Sequence, residues 1–300
     1  MGGPSCRSAR NALRRSASRT ATTSPRGSLP PERGGSGGAL MGAAMARKAG
    51  AVGSSSPRRG LALGSGRGAC VGASVLEVRG LTYRPASAEK PLLNGVNFDL
   101  SPGRIGLIYG PSGSGKSTLL NVLAGFSTSY DGEVTLLPSK ALGNGNGNGR
   151  GKTGTPRDVG VVFQFPERYF VGNTIMEELS FGWRHSSRVE ARSEFVKRLV
   201  PVLKVTGLSD MPLDRKLTQL SGGYQRRVAI AVQLLRKPSV LLLDEPTAGM
   251  DMPSIEALCC TLESVKETSA VLVVSHDTDM LQGIADDVWE MKTGGILTRT

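Results

Sequence analysis

The sequence predicts an α/β fold with a mainly parallel core sheet, and three stretches carry that reading. The apolar "IGLIYG" runs into the glycine-rich "GPSGSGKST", which opens the helix-like "KSTLLNVLAGF". "VLLLDE" and "AVLVVSHD" are near-continuous apolar runs of strand length that end in ionisable residues. Such runs suit strands buried on both faces, as in a parallel sheet covered by helices.

In chain order, "SVLEVRGLTY", Ser74 to Tyr83, alternates as a half-buried strand does. A second alternating strand is expected in "LLNGVNFDLSPGR", with Asn94-Gly95 and Pro102-Gly103 as the turns that flank it. "IGLIYG" and "GEVTLL" read as further strands around the glycine loop and its helix. "GNGNGNGRGKTGT", Gly143 to Thr155, is a low-complexity insert expected to form a flexible, exposed loop. "DVGVVFQ" resumes the strand pattern. From about Ile175 to Arg236 the period turns helical, with Leu199, Val202 and Leu203 among the apolar positions, and the helical region is placed at about residues 170–236. The two long apolar runs follow as strands, and no internal repeat is evident.

The formal charge of +12 points at first to nucleic acid, but its distribution removes that reading. Residues 1–74 hold 12 of the 37 Lys/Arg and a single acid, Glu32, which leaves 25 basic and 24 acidic residues for the rest. No nucleic-acid partner is therefore expected for the folded body. The first 74 residues are rich in Arg, Ser, Gly and Ala and contain no sustained apolar run. They are expected to be a disordered presequence, an organelle transit peptide of chloroplast or mitochondrial type, with a retained basic tail as the alternative. Cys6 stands where myristoylation would need Ser or Thr. The folded domain is placed at residues 75–300, and with few residues after His276 no regulatory domain is expected there. No stretch approaches the ~18 apolar residues of a membrane span, so membrane contact is expected only through a partner. Cys6, Cys70, Cys259 and Cys260 lack metal-ligand spacing and read as thiols, the adjacent pair as buried ones.

Gly110, Pro111, Ser112, Gly113, Ser114, Gly115, Lys116, Ser117 and Thr118 match the phosphate-binding pattern G-x-x-x-x-G-K-[ST] in its required context, strand before and helix after. Glycines let backbone N–H groups converge on phosphate oxygens, and the helix N-terminus adds partial positive charge. Lys116 is then expected at the β- and γ-phosphates of a nucleotide, and the Ser117 hydroxyl on Mg²⁺. Asp244 suits the Mg²⁺-associated acid, and Glu245 beside it suits a general base on the attacking water; a solvated strand end is the plainer alternative. Gln164 and His276 also fall at strand ends, where a parallel sheet places its binding crevice, though a lone His is more often structural. Tyr83 can stack on a base or serve as core. His185, in a polar stretch, has no assigned role. "LSGGYQRR", Leu220 to Arg227, sets Ser221, Gly222 and Gly223 before a second helix, as another anion-binding loop would.

Taken in this order, Tyr83, "GPSGSGKST", Gln164, "LSGGYQ", "LLLDEP", "AGMD" and His276 resemble the ATP-binding cassette (ABC) ATPase family, over about Val75 to Thr300. The resemblance implies a P-loop NTPase with an N-terminal antiparallel β subdomain and a helical subdomain carrying the signature. It implies that Tyr83 stacks on the adenine of ATP, that Gln164 contacts Mg²⁺ and senses the γ-phosphate, and that His276 holds the γ-phosphate beside the base Glu245. Asp251 of "AGMD" would communicate between subunits. Ser221, Gly222 and Gly223 would face the ATP bound by a second ABC subunit, identical or different, in a head-to-tail dimer. Tyr224 departs from the family's usual Gln at the fifth signature position, which puts that residue's polar contact in doubt. "VVFQFPERYFVGNTIMEELSFG" looks most like the ATPases of energy-coupling-factor importers of vitamins and transition-metal ions, with Phe165, Tyr169 and Phe170 either docking a transmembrane subunit or filling the helical core. A basic presequence with one cassette also resembles the non-intrinsic chloroplast ABC proteins of plants and algae. The implied function is the ATPase subunit of a transporter, with a soluble assembly ATPase, such as an iron–sulfur scaffold ATPase, as the alternative.

Overall fold

The computed structural model describes residues 74–137, 158–183, 189–276 and 278–300. The presequence reading, the Gly/Asn insert and His185 fall outside the described residues. Three strands, β1 (Leu76–Tyr83), β2 (Leu93–Leu100) and β4 (Asp131–Leu136), form an antiparallel sheet in the order β2-β1-β4. Asn94-Gly95 is not a turn, as the sequence reading had it, but lies inside β2. There the β1–β2 register slips twice between Val78 and Tyr83. The irregularity acts as a bulge, and the pair Leu81 and Val96, set between the two slips, stays buried.

The second sheet has six strands in the order β5-β6-β7-β3-β8-β9. They are β3 (Ile105–Tyr109), β5 (Val159–Val162), β6 (Val240–Asp244), β7 (Ala270–Ser275), β8 (Asp287–Lys292) and β9 (Ile296–Arg299). All neighbours pair in parallel except β8 with β9. The apolar runs behave as predicted: Val240, Leu242, Ala270, Leu272 and Val274 enter one hydrophobic cluster with the antiparallel sheet. Leu241, Leu243, Val271 and Val273 enter another on the opposite face. The β8–β9 hairpin was not anticipated. "DVWEMK" breaks the apolar alternation by burying Asp287, whose carboxylate is held by Arg104 at 2.6 Å and Arg299 at 2.7 Å. A buried acid reads as an exposed one until its two guanidinium partners, distant in sequence, are known.

Among the described residues the α-helices are α1 (Lys116–Leu123), α2 (Ile175–Ser180), α3 (Val189–Val205), α4 (Gly222–Leu234) and α5 (Met252–Val265). The region expected to be helical holds α2, α3 and α4. Thr174 caps α2 by accepting from the Glu177 N–H. Helices α2, α3 and α4 share a third cluster containing Ile175, Leu199, Val228 and Leu235. On α5, Cys259 is buried and its thiol pKa is pushed up to about 12, chiefly by burial; Cys260 is half-buried. Among the described residues no helix is long and apolar enough to cross a membrane.

Candidate nucleotide-binding site

Four adjacent parallel strands, β5, β6, β7 and β3, deliver the predicted residues at their C-terminal ends, where a parallel sheet opens its crevice. The glycine loop leaves β3 and turns directly into α1. Gly115 is the residue before that helix and sits at φ +107°, where a side chain would be strained. At Gly110 a Cβ would lie 2.1 Å from the Met291 carbonyl oxygen, so β8 backs the loop too closely for any other residue. Lys116 is buried, and its Nζ donates to the carbonyls of Gly110 at 2.7 Å and Pro111 at 3.0 Å. The ammonium thus braces the loop from within. Ser112, Gly113 and Ser114 form its turn, Thr118 follows Ser117 on α1, and the buried Ser114 Oγ has no partner among the described residues.

Ser117 Oγ donates to Asp244 Oδ1 at 3.2 Å, so a hydroxyl and a carboxylate meet where the loop faces β6. Burial holds the Asp244 pKa above its usual value; the Ser117 bond opposes this, Glu245 adds to it and Lys116 opposes it. A hard, oxygen-seeking cation fits such a pair, because it would relieve a carboxylate charge that burial disfavours.

Glu245 sits just beyond β6 at φ +46°, a left-handed conformation rare outside glycine and typical of strained functional positions. Its N–H continues the ladder to Val274 at 2.9 Å. Its Oε2 accepts from Ser275 Oγ at 3.1 Å and the His276 N–H at 3.1 Å, and lies 2.8 Å from His276 Nδ1, which donates when it carries the proton. Oε1 has no partner among the described residues and is left to accept a further donor. The carboxylate is mostly buried, whereas the imidazole is exposed.

The structure does not join the other predicted residues to this group. Tyr83 ends β1, packs on the first cluster and lines a cleft of ≈ 410 Å³ with Arg84, Pro85 and Ser129. Its carbonyl accepts from Leu92 N at 2.9 Å, and the Leu92 carbonyl in turn borders Gly115. The Gln164 side chain makes no hydrogen bond among the described residues, while its backbone carbonyl is held by Arg226. Asp251 immediately precedes α5 without capping it. Ser221 precedes α4, also without a side-chain cap, so Ser221 and Gly222 present an exposed helix N-terminus. Among the described residues no hydrogen bond links Ser221, Gly222 or Gly223 to the glycine loop. Tyr224 turns inward, stacked under Arg227 at 4.0 Å, and Gln225 donates to the Leu217 carbonyl at 3.1 Å. Of the aromatics after Gln164, Phe165 and Tyr169 are exposed, while Phe170 packs between the second and third clusters as core. Sequence reasoning missed Ser275 and Arg226. A serine closing an apolar strand and an arginine among helix polar positions carry no local signal.

The family model described as ABC transporter matches residues 93–248. The chain belongs to the ABC transporter family and is one of its ATP-hydrolysing cassettes. Its particular likeness includes ABC transporter I family member 11, chloroplastic, of Arabidopsis thaliana, 40% identical over 226 residues spanning 75% of this chain and 80% of the relative. The energy-coupling factor transporter ATP-binding protein EcfA2 of Leuconostoc mesenteroides is 32% identical over 209 residues, 69% of this chain and 72% of the relative. Among solved structures, CbiO1 of Clostridium perfringens, part of the ABC transporter complex CbiONQ, aligns with a TM-score of 0.64 at 27% identity, covering 75% of this chain and 87% of that one. The predicted fold class and family are therefore correct.

The raised Asp244 pKa yields a directional prediction. Below the ordinary carboxylate range both folded and unfolded chains are protonated at this residue. As pH rises through that range and then the folded value, the folded state binds the extra proton and loses relative stability. At neutral pH Asp244→Asn is thus expected to raise the melting temperature without nucleotide, and to lose whatever gain Mg²⁺ is found to give the unsubstituted chain. A thermal melt with and without Mg²⁺ checks both; a lower melting temperature for the variant would contradict the burial account.

Proposed function

We propose that this chain is the ATP-hydrolysing subunit of a plastid importer, working as a head-to-tail dimer that drives a separate transmembrane subunit. The observation that carries the dimer is the exposed N-terminus of α4. Its free N–H groups and positive dipole end suit a phosphate, yet Ser221, Gly222 and Gly223 make no hydrogen bond to the chain's own glycine loop. A second copy or a related cassette supplies each missing half.

Within one site, Lys116 and the loop N–H groups hold the phosphates, and Tyr83 at its cleft receives the adenine. Ser117 and Asp244, with Gln164 near the β5 end, would hold Mg²⁺, which supplies charge neutralisation at the transferring phosphoryl group. Glu245 takes the proton of the attacking water through its free Oε1, and Ser275 and His276 fix the carboxylate that does so. His276, exposed beside that base, also faces the γ-phosphate position, and Asp251 meets the partner subunit.

Exposed Tyr169 belongs to an aromatic row, 4.7 Å from Phe163, which lies 6.1 Å from Phe126, itself exposed; Phe165, also exposed, precedes the same short turn. A row of that kind supplies apolar anchors for a helix of the transmembrane subunit. The likeness to energy-coupling-factor and chloroplastic relatives, with the basic presequence, supports uptake of a metal ion or vitamin into a plastid. The soluble assembly-ATPase alternative is not favoured by these relatives. Solubilised plastid membranes passed over the tagged full-length chain should yield a polytopic membrane subunit. Recovery of soluble partners alone would sink the transport reading.

A further inference from the structure

Arg226 is one of the few buried charges in the described residues, 5% exposed, and none of their carboxylates lies within ion-pair distance of it. Its Nη2 donates to two backbone carbonyls from different loops, Gln164 at 3.0 Å and Ala248 at 2.7 Å. Its buried Nε–H has no acceptor among the described residues. Burial depresses the guanidinium pKa, and the field of Glu167 opposes that only in part. A buried cation without a carboxylate is an unfavourable way to fill space, since an apolar side chain of similar volume avoids the desolvation cost. The arrangement calls for a reason beyond packing.

The two carbonyls supply one. Gln164 follows β5 at the crevice, and Ala248 lies between Glu245 and Asp251. The helix that carries Arg226 begins with the signature residues, and Gly223 is seated against Met250 and Ser254, where a Cβ would meet atoms at 3.1–3.3 Å. One side chain thus ties the start of α4 to both loops that end the neighbouring strands. In the dimer, Gln164 and the segment from Glu245 to Asp251 attend the chain's own ATP, whereas Ser221 to Gly223 attend the partner's.

We propose that Arg226 is a positioning residue that couples the two ATP sites of the dimer, passing a displacement of the Gln164 or Ala248 loop into α4 and so into the opposite site. This rests on the dimer reading above. Lysine keeps the charge but lacks the planar fork that fixes its donors in one plane, so Arg226→Lys tests the coupling with little change in electrostatics.

The experiment is equilibrium ATP binding, with Mg²⁺, to the full chain carrying Glu245→Gln so that hydrolysis does not intervene. In that background the second ATP is expected to bind about 5–150-fold more tightly than the first, the usual span of allosteric coupling. Adding Arg226→Lys should abolish the cooperativity while first-site affinity and melting temperature stay unchanged. Persistence of full cooperativity would overturn the proposal. A fall in melting temperature together with equal weakening of both sites would assign Arg226 a packing role and overturn it as well. If the Glu245→Gln chain neither pairs nor binds ATP cooperatively, the dimer reading itself fails, an outcome distinguishable from failure of Arg226 alone.

Discussion

Replacing Glu245 by Gln is expected to slow ATP hydrolysis by about 10²–10⁴-fold, the usual worth of a general base, while ATP binding is retained. The substitution preserves side-chain shape, and the amide oxygen can still accept from Ser275 and the His276 N–H, which now hold the carboxylate at 3.1 Å each. What disappears is the capacity to take a proton from water. The left-handed backbone at φ +46° carries strain of roughly 1–3 kcal/mol that the surrounding ladder sustains, and a change confined to the side chain leaves it in place. Fold stability should therefore alter little. Single-turnover hydrolysis, together with sedimentation in the presence of ATP, checks the prediction: the variant should accumulate as an ATP-bound dimer. Hydrolysis within a few-fold of the native rate would show that another group is the base.

Gly222→Asp should be as damaging to turnover and silent in the isolated subunit. A Cβ at Gly222 meets nothing within 4 Å, and the residue is exposed in the first turn of α4, where an aspartate suits the helix dipole. Melting temperature and nucleotide affinity of the single chain should be unchanged. In the dimer the new carboxylate would face the partner's phosphates. At an effective dielectric constant near 20, two unit charges about 4 Å apart repel by about 4 kcal/mol, roughly a thousandfold in an equilibrium constant. Gly223 would not serve the purpose, because a side chain there collides with Ser254 within the same chain. A Gly222→Asp protein that hydrolyses ATP normally would remove the signature from the site.

The strand-end residues were legible because the chemistry lies in local sequence. "VLLLDE" and "AVLVVSHD" announce both a doubly covered sheet and the acids and histidine at its edge, and the fold aligns β3, β5, β6 and β7 so that those ends meet. Less legible was whatever depends on partners distant in the chain. Nothing local marks Asp287 as buried, because Arg104 and Arg299, which hold it, lie elsewhere in the chain, and so β8 went unread. Asn94-Gly95 has turn chemistry, yet pairing with β1 absorbs it as an irregular register. Phe165, Tyr169 and Phe170 form one aromatic phrase in sequence. The short 3₁₀ turn at Pro166–Tyr169 leaves the first and second exposed and sends the third into the core. Arg226 could not be told from its neighbour Arg227 by type; only the geometry puts one under two carbonyls and the other over Tyr224.

Mixing two inactive variants tests most directly whether each ATP site is built from two chains. Lys116→Ala removes the cation that braces the loop, and Gly222→Asp blocks the signature. With native protein active under the same conditions, each variant alone should be nearly inert. A mixed dimer joins the intact loop of the Gly222→Asp chain to the intact signature of the Lys116→Ala chain, so the mixture should regain hydrolysis. A mixture no more active than its separate components would contradict a site shared between subunits.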